Sequence, residues 1–263
     1  MMDLNLKGKT AVVCGSTQGM GLAIAQQLAQ QGAAVVMVAR NQEKLTEVVK
    51  TLSTEDQQNH HTLVADFSDP AQVKSAIEAH LAKHPEANIL INNTGGPPPG
   101  LAKDADPAAF QLAFNQHLIC NQVLAQALGP AMQQAKYGRI INVISTSVKQ
   151  PLPNLGVSNT IRGAVANWAK TLANELGQYN ITVNNVLPGA TETGRLSSIF
   201  ENKAKKTGLT VDQVIENEKA IIPMRRFGTP QEFANVVGFL SSPAGAYING
   251  VNIPVDGGRT ACL

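Results

Sequence analysis

Seven short apolar runs rich in β-branched residues recur along the 263-residue chain, each separated from the next by a longer amphipathic stretch. They are TAVVCG (10–15), AAVVMVA (33–39), HTLVAD (61–66), NILIN (88–92), RIINVIS (139–145), ITVNNVL (181–187) and GVNIPV (250–255). A strand with one face in water alternates apolar and polar residues; a strand covered on both faces does not need to. The runs are nearly continuous in apolar character, so they belong inside a sheet sandwiched between helices. Alternation with helical stretches makes the strands parallel, joined by crossovers. The expectation is an α/β fold with one doubly wound sheet of seven mostly parallel strands and helices on both faces, all within a single domain spanning 1–263.

Punctuation agrees with this order. Asp69-Pro70 and Asp106-Pro107 read as helix caps followed by proline in the first turn, Gly32 follows a helix end, and Thr229 with Glu232 forms a capping box. GGPPPG at 95–100 interrupts the pattern, but strand and helix resume on both sides, so it reads as a loop: either part of a pocket wall or a rigid turn.

Composition narrows the function classes. A net charge of +2 and 4% aromatic content give no electrostatic or stacking surface for nucleic acid. The densest basic cluster, NKAKK at 202–206, reads as a solvated helix face. Cys14, Cys120 and Cys262 form no CxxC pair, which supports neither a disulfide framework nor a metal site and fits a reducing cytoplasm. The start MMDLNLKGKTAVV lacks the features of a leader, and nowhere do enough apolar residues run together to span a membrane.

The first chemical signal lies directly after the first strand. CGSTQGMG places Gly15, Gly19 and Gly21 at a strand-to-helix turn, with Ser16, Thr17 and Met20 between them. Such a turn lets backbone approach a diphosphate while the helix N-terminus offers unpaired N–H groups, the hallmark of a Rossmann-type dinucleotide site. Nineteen residues past Gly21, at the end of the second strand, stands Arg40. An acidic residue there binds the ribose of NAD, whereas arginine meets the 2′-phosphate of NADP, so NADP is favoured with NAD still open. Arg40 also reads as an ordinary surface arginine. Asp66, with Phe67 behind it, closes the third strand either as an adenine contact or as a turn former.

The combined spacing resembles the short-chain dehydrogenase/reductase family along essentially the whole chain. Its T-G-x-x-x-G-x-G loop appears with Cys14 in place of threonine, and NNTG (Asn92, Asn93, Thr94, Gly95) is similar to the segment that braces the sheet beside the cofactor. GRIINVIS resembles the strand delivering the catalytic serine, here Ser145. PGATET looks like the segment holding the nicotinamide and diphosphate, which implicates Pro188, Gly189, Thr191 and Thr193. RRFGTPQEFA and VDGG are similar to the C-terminal signatures. The resemblance implies four catalytic positions, of which only the serine is retained: His117 stands at the asparagine, Ser158 at the tyrosine and Arg162 at the lysine. The chain thus resembles a divergent subgroup related to 3-oxoacyl-carrier-protein reductases.

Carbonyl reduction needs a hydride and a proton donor within about 2.6–3.2 Å of the carbonyl oxygen. Ser158 is less acidic than tyrosine and its reach is shorter by roughly 4 Å, a gap water can fill. Arg162 keeps a fixed charge and several donors, suited to holding the nicotinamide ribose or an oxyanion, and it is a poor acid. His117 has the ordinary pKa for proton delivery near neutrality, which gives a relay from His117 through water with Ser145 and Arg162 polarising the oxygen. The alternative is a histidine that only fills a helix position. Ser158 and Arg162 are four apart and share a helix face beside the apolar stripe Ile161, Val165, Trp168, Leu172 and Leu176.

Two readings follow. One is an NADP(H)-dependent oxidoreductase acting on a small-molecule ketone or secondary alcohol, a 3-oxoacyl thioester among them, with no metal. The other is an NADP(H)-binding sensor or partner subunit without turnover. The resemblance also implies a substrate lid at about 195–224 and a homo-oligomer, tetramer or dimer.

Overall fold

The computed structural model describes residues 2–262 and contains the seven strands. They are β1 (Thr10–Cys14), β2 (Ala34–Ala39), β3 (His61–Val64), β4 (Ile89–Asn92), β5 (Gly138–Val143), β6 (Ile181–Pro188) and β7 (Asn252–Val255). Every pairing is parallel, in the order β3-β2-β1-β4-β5-β6-β7.

Side-chain alternation along the strands divides the core in two, which explains the continuous apolar runs. Ala11, Val13, Val35, Met37, Ile89 and Ile91 point to one face, against helices α1 (Gly19–Gln30), α2 (Gln42–Val48) and α9 (Pro230–Ser241). Val12, Cys14, Val36, Val38, Leu90 and Ile140 point to the other, against α3 (Pro70–Leu81), α5 (Cys120–Gln134) and α6 (Gly156–Leu176). Asp69 caps α3, Asp106 caps α4 (Pro107–Phe114) and Thr229 with Glu232 closes a capping box on α9, each where the sequence places it.

Strand order reverses between β1 and β4, which opens a crevice at their carboxyl ends, the position where this class of sheet takes ligands. A row of buried amides crosses the sheet beside it: Asn92 donates to Asn142 (2.8 Å), Asn142 to Asn185 (2.9 Å) and Asn185 to Asn252 (2.8 Å). The strand register places these residues directly opposite one another on β4, β5, β6 and β7. Two short helices, α7 (Gly194–Thr207) and α8 (Val211–Ala220), form a separate layer with its own small core of Phe200, Ala204, Val214, Ile222 and Phe227. Among the described residues no helix is long and apolar enough to cross a membrane.

Candidate functional site

A cleft of about 650 Å³ runs across the carboxyl ends of the strands, from Arg40 and Asp66 at one end to Ser158 and Arg195 at the other. The glycine turn forms its floor. Gly15 has φ +59°, and a Cβ there would lie 2.6 Å from the Asn93 carbonyl oxygen, so only glycine fits. Asn93 pins the turn by donating from Nδ2 to the carbonyls of Cys14 and Gly15, both at 3.2 Å. A Cβ on Gly21 would collide with the Gly15 carbonyl, so α1 packs hard against the loop that precedes it.

No side chain caps α1, and its first turn holds no acidic residue. The helix therefore presents open N–H groups and a partial positive charge to the cleft. This chemistry fits a diphosphate. Thr17, Met20, Asn93, Gly95, Pro188, Gly189, Thr191 and Thr193 all line the same space.

Three expected cofactor residues have additional or different local roles. Ser16 is fully buried and its hydroxyl turns to the Val38 carbonyl at 3.4 Å, away from the cleft, so its side chain is not a cofactor contact. Thr193 caps α7 by accepting from Leu196 N–H (3.4 Å), and its methyl would meet a Cβ on Gly19 at 3.3 Å, which brings the start of α7 against the phosphate loop. Asp66 accepts from Ser68 N–H at 2.9 Å, the turn geometry. That bond, with Arg40 nearby, holds its carboxyl below the usual carboxylate range. Asp66, Phe67 and the exposed Arg40 nevertheless line the cleft, at the end beside β2 and β3.

At the other end, Ser145 follows β5 and accepts from Ser147 N–H (3.1 Å). Helix α6 is anchored at its start so that Ser158 faces the cleft: Asn159 donates to the Leu152 carbonyl at 2.9 Å, Leu155 bridges to Gly100, and Gly156 packs so tightly on Ala102 that a Cβ would collide. One turn on, Arg162 is almost wholly buried, and its Nη1 donates to the Val143 carbonyl at 3.2 Å while Nε has no partner. Burial, then the neighbouring Arg195 charge, pushes its pKa down to about 10, so it remains a cation at neutral pH.

His117 lies in a widened π turn, Asn115–Ile119, that joins α4 to α5. Such turns are frequent at functional sites. The ring is 1% exposed, and its buried Nε2 has no partner. Burial first, then Arg162 and Arg195, push its pKa down to about 2, which overturns the expectation of a histidine titrating near neutrality. At working pH it is a neutral imidazole and cannot deliver a proton by its own ionisation.

Cys14 and Cys120 are buried, and burial raises both thiol pKa values, Cys120 to about 12, so neither is a nucleophile. Among the described residues no cluster of ligating side chains could hold a metal. Sequence reasoning missed Gln116 as a wall residue and reached Arg195 only as the start of the expected segment at 195–224, not as a side chain of the site.

The family described as Enoyl-(Acyl carrier protein) reductase matches residues 15–260. Among curated proteins, the NADPH-dependent reductase BacG of Bacillus subtilis is 31% identical over 254 residues, covering 95% of this chain and 97% of that protein. Dehydrogenase/reductase SDR family member 4 of Sus scrofa is 32% identical, with 98% and 89% covered. The 3-oxoacyl-[acyl-carrier-protein] reductase FabG of Escherichia coli is 31% identical, with 97% and 98% covered. The crystal structure of L-sorbose reductase from Gluconobacter frateurii, complexed with NADPH and L-sorbose, superposes with a TM-score of 0.93 at 31% identity over the full length of both chains. With the phosphate loop, the seven-stranded sheet and the cleft all in place, the chain belongs to the short-chain dehydrogenase/reductase family.

Proposed function

We propose that the chain is an NADP(H)-dependent oxidoreductase interconverting a ketone and a secondary alcohol, with Ser158 and Arg162 standing where the family carries tyrosine and lysine. The observation that carries this reading is one continuous cleft that joins an uncapped, acid-free helix N-terminus to two hydroxyls and a buried guanidinium. The relatives described above are reductases, which favours turnover over a sensor without it. When bound, the nicotinamide cofactor supplies or accepts the hydride. Arg40 takes the 2′-phosphate, with NAD a weaker alternative, and Pro188, Gly189, Thr191 and Thr193 hold the nicotinamide end.

Ser145 and Ser158 donate hydrogen bonds to the substrate oxygen, and Arg162 stabilises the negative charge that develops on it. A preorganised donor of this kind contributes about 10²–10³ in rate. The proton comes from solvent through water in the cleft; His117, buried and not among the residues that line the cleft, supports the site by packing as a neutral ring and does not ionise. Loss of tyrosine as acid costs on the order of 10²–10⁴, and orientation in the cleft offsets much of it, since positioning is worth roughly 7–11 kcal/mol. The layer at about 195–224 closes over the substrate as the lid of this single domain, a 3-oxoacyl thioester among the candidates. The test is NADPH oxidation against a panel of carbonyls beside calorimetry with NADPH and NADH: cofactor binding without turnover on any carbonyl refutes the reading.

A further inference from the structure

Two guanidiniums converge at the substrate end of the cleft without an acid between them. A Cβ on Gly96 would lie 3.5 Å from Arg162 Nη2, 3.1 Å from Arg195 Nη2 and 3.6 Å from Arg195 Nη1, so both groups approach one point in the cleft wall. Each finds only a backbone carbonyl: Arg162 that of Val143, Arg195 that of Gly96 at 3.3 Å. Among the described residues neither forms an ion pair. Glu192, three residues from Arg195, forms no ion pair with it.

Among the described residues the only acid lining the cleft is Asp66, at the adenosine end beside Arg40. Arg162 is buried with Nε unpartnered, and a buried cation without a counter-charge costs several kcal/mol. Arg195 occupies the first turn of α7, where the helix dipole disfavours a cation and no acid balances it. Two violations of local electrostatics facing one spot are what a site for an anion requires.

The diphosphate of the cofactor already has the N-terminus of α1. Gly96 is a separate part of the lining from that loop, and the same cleft also holds the apolar side chains of Pro97, Leu155, Leu196 and Ile199, which suit a small organic acid. Resting on the reductase reading, we infer that the substrate is a small keto acid, its carboxylate taken by Arg195 in a two-pronged hydrogen bond while Arg162 attends the carbonyl oxygen. A planar guanidinium matches a carboxylate in this way, and lysine does not. The reaction stays balanced: hydride passes to the carbonyl carbon, a proton from water to its oxygen, and the carboxylate is unchanged.

The experiment compares a set of 2- and 3-keto acids with their methyl esters, by calorimetry on the NADP⁺-loaded protein and by NADPH oxidation. The expected result is binding at least tenfold tighter for the acid and kcat/KM about 100-fold higher. In Arg195→Gln that preference shrinks to within threefold, Arg195→Lys recovers about a tenth of it, and NADPH affinity changes less than threefold. Equal binding of acid and ester overturns the inference, as does an Arg195→Gln variant whose NADPH affinity falls as far as its affinity for the acid, because Arg195 then serves the diphosphate. Turnover of esters as fast as acids also sinks the inference while leaving the reductase reading intact. Acid-selective binding without any NADPH oxidation sinks the reductase reading alone.

Discussion

Asn142→Leu breaks the amide row at its centre. The substitution is close to volume-neutral, so a cavity adds little, and the loss is polar. Asn92 Nδ2 loses its acceptor and Asn185 Oδ1 its donor, both inside the sheet, where Asn92, Asn142 and Asn185 are all 3% exposed or less. Leaving a buried polar atom unpaired costs about 1–3 kcal/mol, so the pair costs roughly 2–6 kcal/mol. For a chain of this size each kcal/mol lowers Tm by about 2–4 °C, which places the shift near 10 °C. Asn92→Leu orphans only Asn142 Oδ1 and lowers Tm by about half as much. Thermal melts followed by circular dichroism, without cofactor, read both values. If Asn142→Leu melts within 1 °C of the parent, or Asn92→Leu is the more damaging, the row is not a stabilising network and the reasoning fails. Because Ser145 stands three residues beyond Asn142, the same variant should also lose turnover below its melting range.

Gly21→Ala places a methyl against the Gly15 carbonyl and 2.7 Å from Asn93 Nδ2, so the phosphate loop must shift; calorimetry should show NADPH binding at least tenfold weaker. Arg162→Met removes the buried cation, and kcat should fall by about 10²–10³ while Tm holds or rises, since an uncompensated charge is gone. With its pKa near 2, His117 contributes no limb to the kcat/KM profile between pH 5 and 8, so His117→Asn should change the rate without moving any apparent pKa in that window. Stability should fall on acidification through the cluster of His61, His80 and His84, whose ring centroids lie 4.1–5.7 Å apart. Burial, then neighbouring histidines, lower the folded pKa values of His61 and His80 below 6.5. The unfolded chain therefore binds more protons, and stability is full above about 6.5, declining as pH drops through the folded values. His80→Gln should flatten that decline in urea titrations at pH 5–7.

The sheet was legible because its signal is local. A strand covered on both faces is largely apolar along its length, and the inner runs show this within their own residues, while the edge strands β3 and β7 are only partly buried; RIINVIS overshoots β5 by only the segment that turns out to carry Ser145. The phosphate turn was legible for a related reason, since φ at Gly15 and the close approach at Gly21 leave a glycine pattern in a single octapeptide. Properties that depend on register or on a distant segment left weaker traces. The asparagines of LIN, INV, VNN and VNI form one row only because parallel register sets them opposite one another. His117 loses its titration through charges on α6 and α7 and through burial that its own helix does not disclose. Arg195 reaches the Gly96 carbonyl across a separation of 99 residues. Its local trace is a cation in the first turn of a helix, where the dipole argues against it although arginine's helix propensity does not. That conflict is readable from sequence, but what Arg195 meets across the cleft is not. The convergence of Arg195 and Arg162 on Gly96, with no ion pair to either among the described residues, exists only in the folded chain, and the keto-acid proposal rests on it.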